Sequence, residues 1–523
     1  MGIYTNVGNE NFKTVLNSEY VDKSLIISEL NKFIDTKNKL VCISRPRRFG
    51  KSTLAQMLCA YYDKNCDSKS LFQNLKIAKD PTFETYLNKY PVIYLDMTWF
   101  TSTCGDIKNV LDYIQSEVIK ELLKAYPETE KSESLAKVIA SISENYNTKF
   151  VMIIDEWDAI FREAKNNVDI QKNYVILLRS LFKTPVTNKM FALAYMTGIL
   201  PIKKYGTQSA LTDFKEYTML SPQMFEEYTG FTEDEVKALC KKYGRDFKKA
   251  KQWYDGYSFS HIKSIYNPNS IMQCMQSGEY LNYWTRTESY ESLKTYIDMN
   301  FGGIKQDLIQ MIGGSECSVE TISFQNDLIS LKSKNDVFTL LIHLGYLAFD
   351  SERNTVRIPN YEIREEFVVA VKDGSHKEIA KLISASEELI QYTLDEKSNK
   401  VAALVEKVHS LGTAPAFYNN EQALRSTIRF AYIAALDDYV EIQELPSGKG
   451  YADIVYLPKK TSNKPAMIIE LKWNKSTDGA LNQIKQNNYP ELVKKLSGEV
   501  LLVGINYDER SKKHECTIEK CDF

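Results

Sequence analysis

No apolar run in the 523-residue sequence approaches the roughly 18 residues that a bilayer-spanning helix needs, so no membrane span is expected. The first residues, MGIYTNVGNENFKTV, lack a basic start followed by an apolar stretch, and a secretory signal is not expected either. Histidine is scarce: five residues lie far apart and none forms HExxH, while the nine cysteines are scattered with no CxxC. That pattern argues against zinc and suits thiols kept reduced, so a cytoplasmic location is expected. Excess charge is missing too, with a net charge of −2 and a pI near 6.3. A protein that grips nucleic acid over its whole surface is strongly basic, so any such contact here is local. Internal repeats and low-complexity linkers are also absent.

The remaining composition is that of an ordinary folded protein, 43% hydrophobic and 26% charged, and the length predicts two to four domains. Through residue 200, strand-like runs alternate with helical patterns. The runs are LVCIS (40–44), PVIYLDM (91–97), FVMIID (150–155) and KMFALAYMT (189–197). Between them, DIKNVLDYIQSEVIKELLKAY (106–126) places Ile107, Val110, Leu111, Ile114, Val118 and Leu122 at helical spacing. Short apolar strands separated by helices predict a parallel sheet covered on both faces. From about 215 to 380 the pattern is helical and charged. It closes in LLIHLGYLAFDSERNTVRIPN (340–360), which reads as helix end, strand, turn and strand, a winged-helix-like arrangement. The cluster KKYGRDFKKAK (241–251) reads as a solvated helix face. A third region follows, with helix 421–436, strands around 440–457 and 466–472, a helix near 478–487 and a strand at 499–505.

Two stretches carry chemistry in the first region. SRPRRFGKST follows a buried-looking strand and opens a helix. Backbone amides and the helix dipole at such a start favour phosphate. Lys51 then meets the β- and γ-phosphates and Ser52 completes magnesium coordination. The residues expected along the nucleotide are Arg45, Pro46, Arg47, Arg48, Phe49, Gly50, Lys51, Ser52 and Thr53. Arg45 stands where the usual phosphate loop has its first glycine, so this stretch alone also reads as a basic turn. The run VMII then ends at Asp155-Glu156. Carboxylates at the end of a buried parallel strand need a partner or a task. Asp155 would hold the magnesium and Glu156 would act as catalytic base, polarising the attacking water. In isolation the pair reads equally as a helix cap with first-turn acids; together the two stretches are far more specific. One strand, PVIYLDM, separates them in the chain, as in the P-loop division with an extra strand. Thr197, ending a later strand, is a candidate γ-phosphate contact or simply a strand end.

In the third region, GYADIVYLP (450–458) contains Asp453 and MIIELKW (467–473) contains Glu470 and Lys472. Alternation puts Glu470 and Lys472 on one face of their strand. If the strands pair, the three side chains converge into a catalytic set. Asp453 and Glu470 would hold a divalent ion and Lys472 would orient or deprotonate water.

The stretches NFKTVLNSEYVDKS, SRPRRFGKST, IIDEWD, MTGILPI, WYDGYSF and YNPNSI, in this order, closely resemble the bacterial and archaeal AAA-ATPase-like family. Its members commonly carry a C-terminal PD-(D/E)XK nuclease-superfamily domain, and in them the arginine-rich loop is the normal phosphate loop. The resemblance implies an α/β architecture in three parts. Residues 1–215 form a P-loop NTPase domain with an ASCE/AAA-like parallel sheet. Residues 216–380 form a helical lid and winged-helix-like region, and residues 381–523 a restriction-endonuclease-like PD-(D/E)XK domain. It also implies Glu421 as a further metal ligand and Gln483 as an accessory residue, although Glu421 also reads as an ordinary first-turn acid. The Asp255-Gly256 pair of WYDGYSF reads as a turn. ATP and magnesium are the implied cofactors, and nucleic acid, DNA in the first instance, is the implied partner of the C-terminal domain. Such ATPases often close their sites between protomers, so a homo-oligomer with an arginine supplied in trans is open to this chain. The leading expectation is an ATP-driven or ATP-gated magnesium-dependent nuclease in defence or DNA processing. The rival is an NTP-driven switch whose nuclease-like domain only binds nucleic acid or protein.

Overall fold

The computed structural model describes residues 2–202, 204–205, 208–209, 211–284, 290–299, 301–326, 331–373, 377–412, 421–447, 450–458, 463–487, 493 and 499–521. The chain divides into two compact units. One is Met1–Trp284 with Ser318–Glu362; the other is Thr285–Cys317 with Ile363–Phe523.

The first unit is built on a five-stranded sheet. Its order is Val92–Asp96, Phe150–Asp155, Phe191–Gly198, Leu40–Ser44 and Lys215–Tyr217, all neighbours parallel. Period two sorts each strand onto two cores. Leu40, Cys42, Phe150, Met152 and Ile154 pack in one cluster, and Val41, Ile43, Val151 and Ile153 in the other. Both faces are therefore apolar and both are covered, which is why these strands read as unbroken hydrophobic runs. The helix Val110–Ala125 buries Val110, Ile114, Val118 and Leu122, as its spacing predicts, while Ile107 and Leu111 are only partly buried. One detail of topology departs from the chain order. Val92–Asp96 lies at the sheet edge, and the strand interposed between the phosphate-loop strand and the acidic strand is Phe191–Gly198.

In the same unit, Glu233–Tyr243, Phe247–Tyr254 and Pro268–Ser277 gather around Val236, Leu239, Trp253, Ile271 and Cys274. The basic cluster at 241–251 is a solvated face: Lys242 pairs with Glu19 and Lys251 with Glu233, both lysines exposed. Lys334–Leu344 is followed by an antiparallel hairpin of Ala348–Asp350 and Thr355–Arg357, the expected helix-and-wing succession.

The 216–380 region is not a body of its own. Its hairpin belongs to the first unit, whereas Ile304–Ile312 packs with the helix Glu421–Ala431 of the second, burying Ile304, Leu308 and Ile312. An amphipathic helix joins whichever core accepts its apolar stripe, and the sequence of one helix does not name that core.

The second unit carries a mixed sheet in the order Tyr439–Ser447, Gly450–Pro458, Ala466–Trp473, Val500–Asp508 and Lys513–Cys521. Only the Ala466–Trp473 and Val500–Asp508 pair is parallel, and the helix Thr477–Gln486 lies in their crossover. An added Cβ at Gly504 would lie 2.8 Å from the Thr477 carbonyl oxygen and 3.1 Å from Ala480 Cβ, so glycine there lets the helix settle on the sheet. Among the described residues no helix is long and apolar enough to cross a membrane.

A buried ion cluster ties this unit together. Glu441 is fully enclosed between Arg364 (2.9 Å) and Arg429 (2.5 Å). Burial pushes its carboxyl up, and the two guanidiniums outweigh that and hold it below the usual range. Replacing Glu441 with glutamine removes the carboxylate charge that faces both guanidiniums. Urea unfolding should show a loss of about 3–5 kcal/mol; a loss under about 1 kcal/mol would show that the cluster is not structural.

Candidate active sites

The phosphate-loop candidate runs from the buried strand Leu40–Ser44 to the helix Lys51–Tyr62. Arg48 (φ 66°) and Gly50 (φ 85°) are left-handed, and no side chain caps the helix. Its first amides are left for an anion. A Cβ on Gly50 would meet nothing within 4 Å, so the space beside it is open. Lys51 is buried, and its Nζ donates to the Pro46 carbonyl at 3.0 Å and lies 3.4 Å from Glu156 Oε1. The cradle and its cation fit a polyphosphate.

Arg45 plays a different part from the one its position predicts. Its guanidinium is wholly buried and donates to the carbonyls of Ser44 (2.8 Å), Tyr217 (2.9 Å) and Phe225 (3.3 Å). Its backbone amide donates to Gly198 (3.0 Å), and burial lowers the guanidinium to about 10. It bolts the loop to the sheet, and neither its amide nor its terminal nitrogens face a nucleotide. Phe49 is likewise buried, accepting from Gly230 N at 3.1 Å. Pro46 is inward, Arg47 half-buried and Arg48 exposed.

The sequence motif without an assigned chemistry turns out to brace this loop. In WYDGYSF, Phe259 lies under the Arg45 guanidinium at 5.6 Å and Tyr257 packs edge-on against Phe49 at 5.4 Å. The Tyr257 hydroxyl donates to the Gly345 carbonyl, and a Cβ on Gly345 would lie 2.8 Å from Pro46 Cβ. The Asp255-Gly256 turn is tight: at φ 128°, a Cβ on Gly256 would lie 2.0 Å from the Pro359 carbonyl oxygen. In YVDKS, buried Lys23 donates to Glu227 O (2.7 Å) and pairs with Glu235 (2.6 Å).

Asp155 ends its strand fully buried. It accepts from Glu156 N (3.0 Å) and Tyr94 Oη (3.4 Å). Burial raises its carboxyl to about 6, with Ser52 pulling it down and Glu156 pushing it up. Ser52 and Asp155 are thus brought together, as a shared magnesium position requires. Glu156, left-handed at φ 49°, is held by Arg162 (2.5 Å) opposite Lys51. Burial raises its carboxyl, and Lys51 and Arg162 outweigh that and lower it. Arg162 also reaches Asp158 (3.4 Å), whose carboxylate takes the amides of Ile199 and Leu200. Thr197 is turned inward, its hydroxyl donating to Ile43 O at 3.0 Å, so its side chain serves the sheet. Thr53 is half-buried in the first turn.

In the second unit, the pairing of Ile454 with Ile469 sets Asp453 and Glu470 across adjacent strands. Asp453 accepts from Leu471 N (2.9 Å), and Arg425 pairs with its other oxygen. Lys472 Nζ donates to Glu470 Oε1 (3.1 Å) and Gln483 Oε1 (2.6 Å), so the accessory glutamine joins the set. Glu470 Oε2 is buried with no hydrogen-bond partner among the described residues. Burial, and then Asp453, raise its carboxyl to about 7. A desolvated, unsatisfied carboxylate oxygen beside a second acid fits a hard divalent cation. Among the described residues no third acid, histidine or cysteine joins the pair. Glu421 opens the helix Glu421–Ala431, and its side chain lies outside the described ones.

Residues 6–207 match the family model of the predicted AAA-ATPases, and residues 419–516 match that of the PD-(D/E)XK nuclease superfamily. The resemblance carried by the sequence motifs is borne out, and with it the α/β architecture of an ATPase-like sheet, a helical middle and a nuclease-like C-terminal sheet. No curated protein matches the chain. Among solved structures it overlaps the Aeropyrum pernix ORC2 protein in ADPNP–ADP complexes at 10% identity, with a TM-score of 0.30, over 67% of this chain and 92% of that one. It overlaps C. elegans PCH-2 at 13% identity, with a TM-score of 0.18, over 56% and 63%. Both overlays are too loose to speak to function.

The Glu470 environment has a measurable consequence. A folded-state value near 7, above the ordinary carboxylate value, means the folded protein holds this proton more tightly than the unfolded chain. Stability therefore falls as pH rises from about 4.5 to 7. In chelator, Glu470→Gln should match the parent at pH 5 and exceed it by about 2 kcal/mol at pH 8. Equal stabilities at both pH values in urea titrations would show that Glu470 is not destabilised when ionised.

Proposed function

We propose that this chain binds and hydrolyses ATP and cuts nucleic acid phosphodiesters with magnesium, nucleotide turnover driving or gating the cut. The observation that carries the nuclease reading is the joining of Glu470, Lys472 and Gln483 by direct hydrogen bonds with Asp453 alongside. A nuclease-like domain that had become a binding module would have no need of an acid pair and a fixed ammonium at one place.

In the first site, Lys51 and the amides at 50–53 would hold the β- and γ-phosphates, and Ser52 and Asp155 would hold a magnesium ion, which when bound screens their charge. Lys51 is now shared between Pro46 O and Glu156. A triphosphate competes for that ammonium and leaves Glu156, still held by Arg162, to take the proton of an attacking water. In the second site, Asp453 and Glu470 would hold the ion, which when bound generates a nucleophilic water and stabilises the phosphorane charge. Lys472, fixed from two sides, orients that water and holds or passes its proton.

Nine free cysteines suit a reducing, cytoplasmic setting, and a homo-oligomer with an arginine supplied in trans suits an ATPase of this kind. Combined ATPase and nuclease activities suit defence or DNA processing, with DNA the first substrate to try.

Plasmid, linear and single-stranded DNA and RNA, incubated with and without ATP and magnesium, test the reading; binding without cutting of every substrate would favour the switch. Lys51→Ala should weaken ATP binding by about 2 kcal/mol, roughly thirtyfold, and stop turnover. Unchanged turnover would refute the site. Asp453→Ala and Glu470→Ala should each abolish metal-dependent cleavage with ATP hydrolysis intact, measured on the same preparations. Cleavage surviving in either would place the nuclease centre elsewhere.

A further inference from the structure

Arg425 stands one helical turn after Glu421 on the helix Glu421–Ala431, and its guanidinium pairs with Asp453 Oδ1. The other Asp453 oxygen takes the Leu471 amide at 2.9 Å. Across the site, Lys472 engages Glu470 Oε1 at 3.1 Å. Two acids are thus already met by two cations, and a divalent ion entering between them faces both repulsions. The two cations are not equivalent. Lys472 is enclosed and locked by Gln483, whereas the Arg425 side chain is 22% exposed, twice the 11% of Lys472. Its planar fork also matches a phosphate edge better than an ammonium does.

We propose that Arg425 is an exchangeable guard of the nuclease centre. It neutralises Asp453 in the resting site and passes to a non-bridging oxygen of the phosphodiester when a divalent cation takes Asp453. The inference rests on the phosphodiesterase reading of this site and adds to it a coupling between the two ligands. Each cation bound frees the guanidinium for the backbone, and each backbone bound withdraws it from the acid. Metal and nucleic acid then tighten each other by the same factor, as linkage requires. No bond is made or broken in this exchange; only ion pairs change partners.

The test uses the full chain, with Mn2+ alone as the first probe in calorimetry and a phosphorothioate duplex as the second, by fluorescence anisotropy. Asp453→Asn identifies the Mn2+ bound at this centre. Arg425→Gln should bind that Mn2+ at least about fivefold more tightly than the parent without nucleic acid, and should lose the mutual tightening. Arg425→Lys, which keeps the charge without the fork, should keep the parent's weak Mn2+ binding and still lose most of the tightening. An arginine that served only as a charge beside Asp453 would strengthen metal binding when removed but leave the mutual tightening unchanged. Equal or weaker Mn2+ binding in Arg425→Gln, or mutual tightening preserved in it, overturns the guard while leaving the nuclease reading standing. No Asp453-dependent Mn2+ binding in the parent or in any Arg425 variant overturns both.

Discussion

Charge that is carried out of water must be answered by a partner, and both candidate sites are built on that requirement. A buried guanidinium or carboxylate without a partner costs several kcal/mol. Arg45 is fully enclosed and answered by three carbonyls and an aromatic face. Asp155 is answered incompletely and rises to about 6; Glu470 is answered less well still and rises to about 7. The carboxylates whose partners fall short are the ones with capacity left for a ligand. Asp158, two positions after Glu156, is taken up by the loop amides of Ile199 and Leu200, whereas Glu156 faces Lys51 and Arg162.

This requirement explains the unusual loop. A glycine in place of Arg45 would leave the chain free to turn but would tie it to nothing. The arginine instead roots the loop in the carbonyls of Tyr217, at the end of the edge strand, and of Phe225 beyond it. The flexibility a phosphate loop needs is supplied further on, by left-handed Arg48 and Gly50. Tyr257 and Phe259 then close over the rooted segment, so that WYDGYSF and SRPRRFGKST form one structural element from two distant pieces of chain.

What the sequence made legible was periodic or chemically costly. Strands buried on both faces appeared as continuous apolar runs, and the 110–125 helix appeared in its 3.6 spacing. Asp155, Glu156, Asp453, Glu470 and Lys472 stood out because ionisable residues interrupt or end those runs. The order of the strands did not appear, because alternation records burial and not neighbours; hence Phe191–Gly198, not Val92–Asp96, separates the two ATPase strands. Arg45 misled because a basic residue in a phosphate loop looks the same whether it faces the phosphate or the sheet. Thr197 stayed open between two readings for the same reason, since a hydroxyl at a strand end can turn outward or, as here, onto Ile43. Arg162 and Arg425 were invisible for the opposite reason: each is an ordinary charge on a helix until its acid is seen beside it.

The two arginines also show how similar parts serve different ends. Arg162 holds Glu156 from a short helix only a few residues away, so the pair moves as one piece and the carboxylate keeps its aim. Arg425 and Asp453 lie on separate elements, 28 positions apart, and the carboxylate keeps a second anchor in the Leu471 amide. Loss of the arginine therefore leaves Asp453 in place with one oxygen exposed to whatever cation arrives. An ion pair within one turn of chain preserves geometry, whereas one between elements, with the acid anchored independently, can be exchanged without dismantling the site.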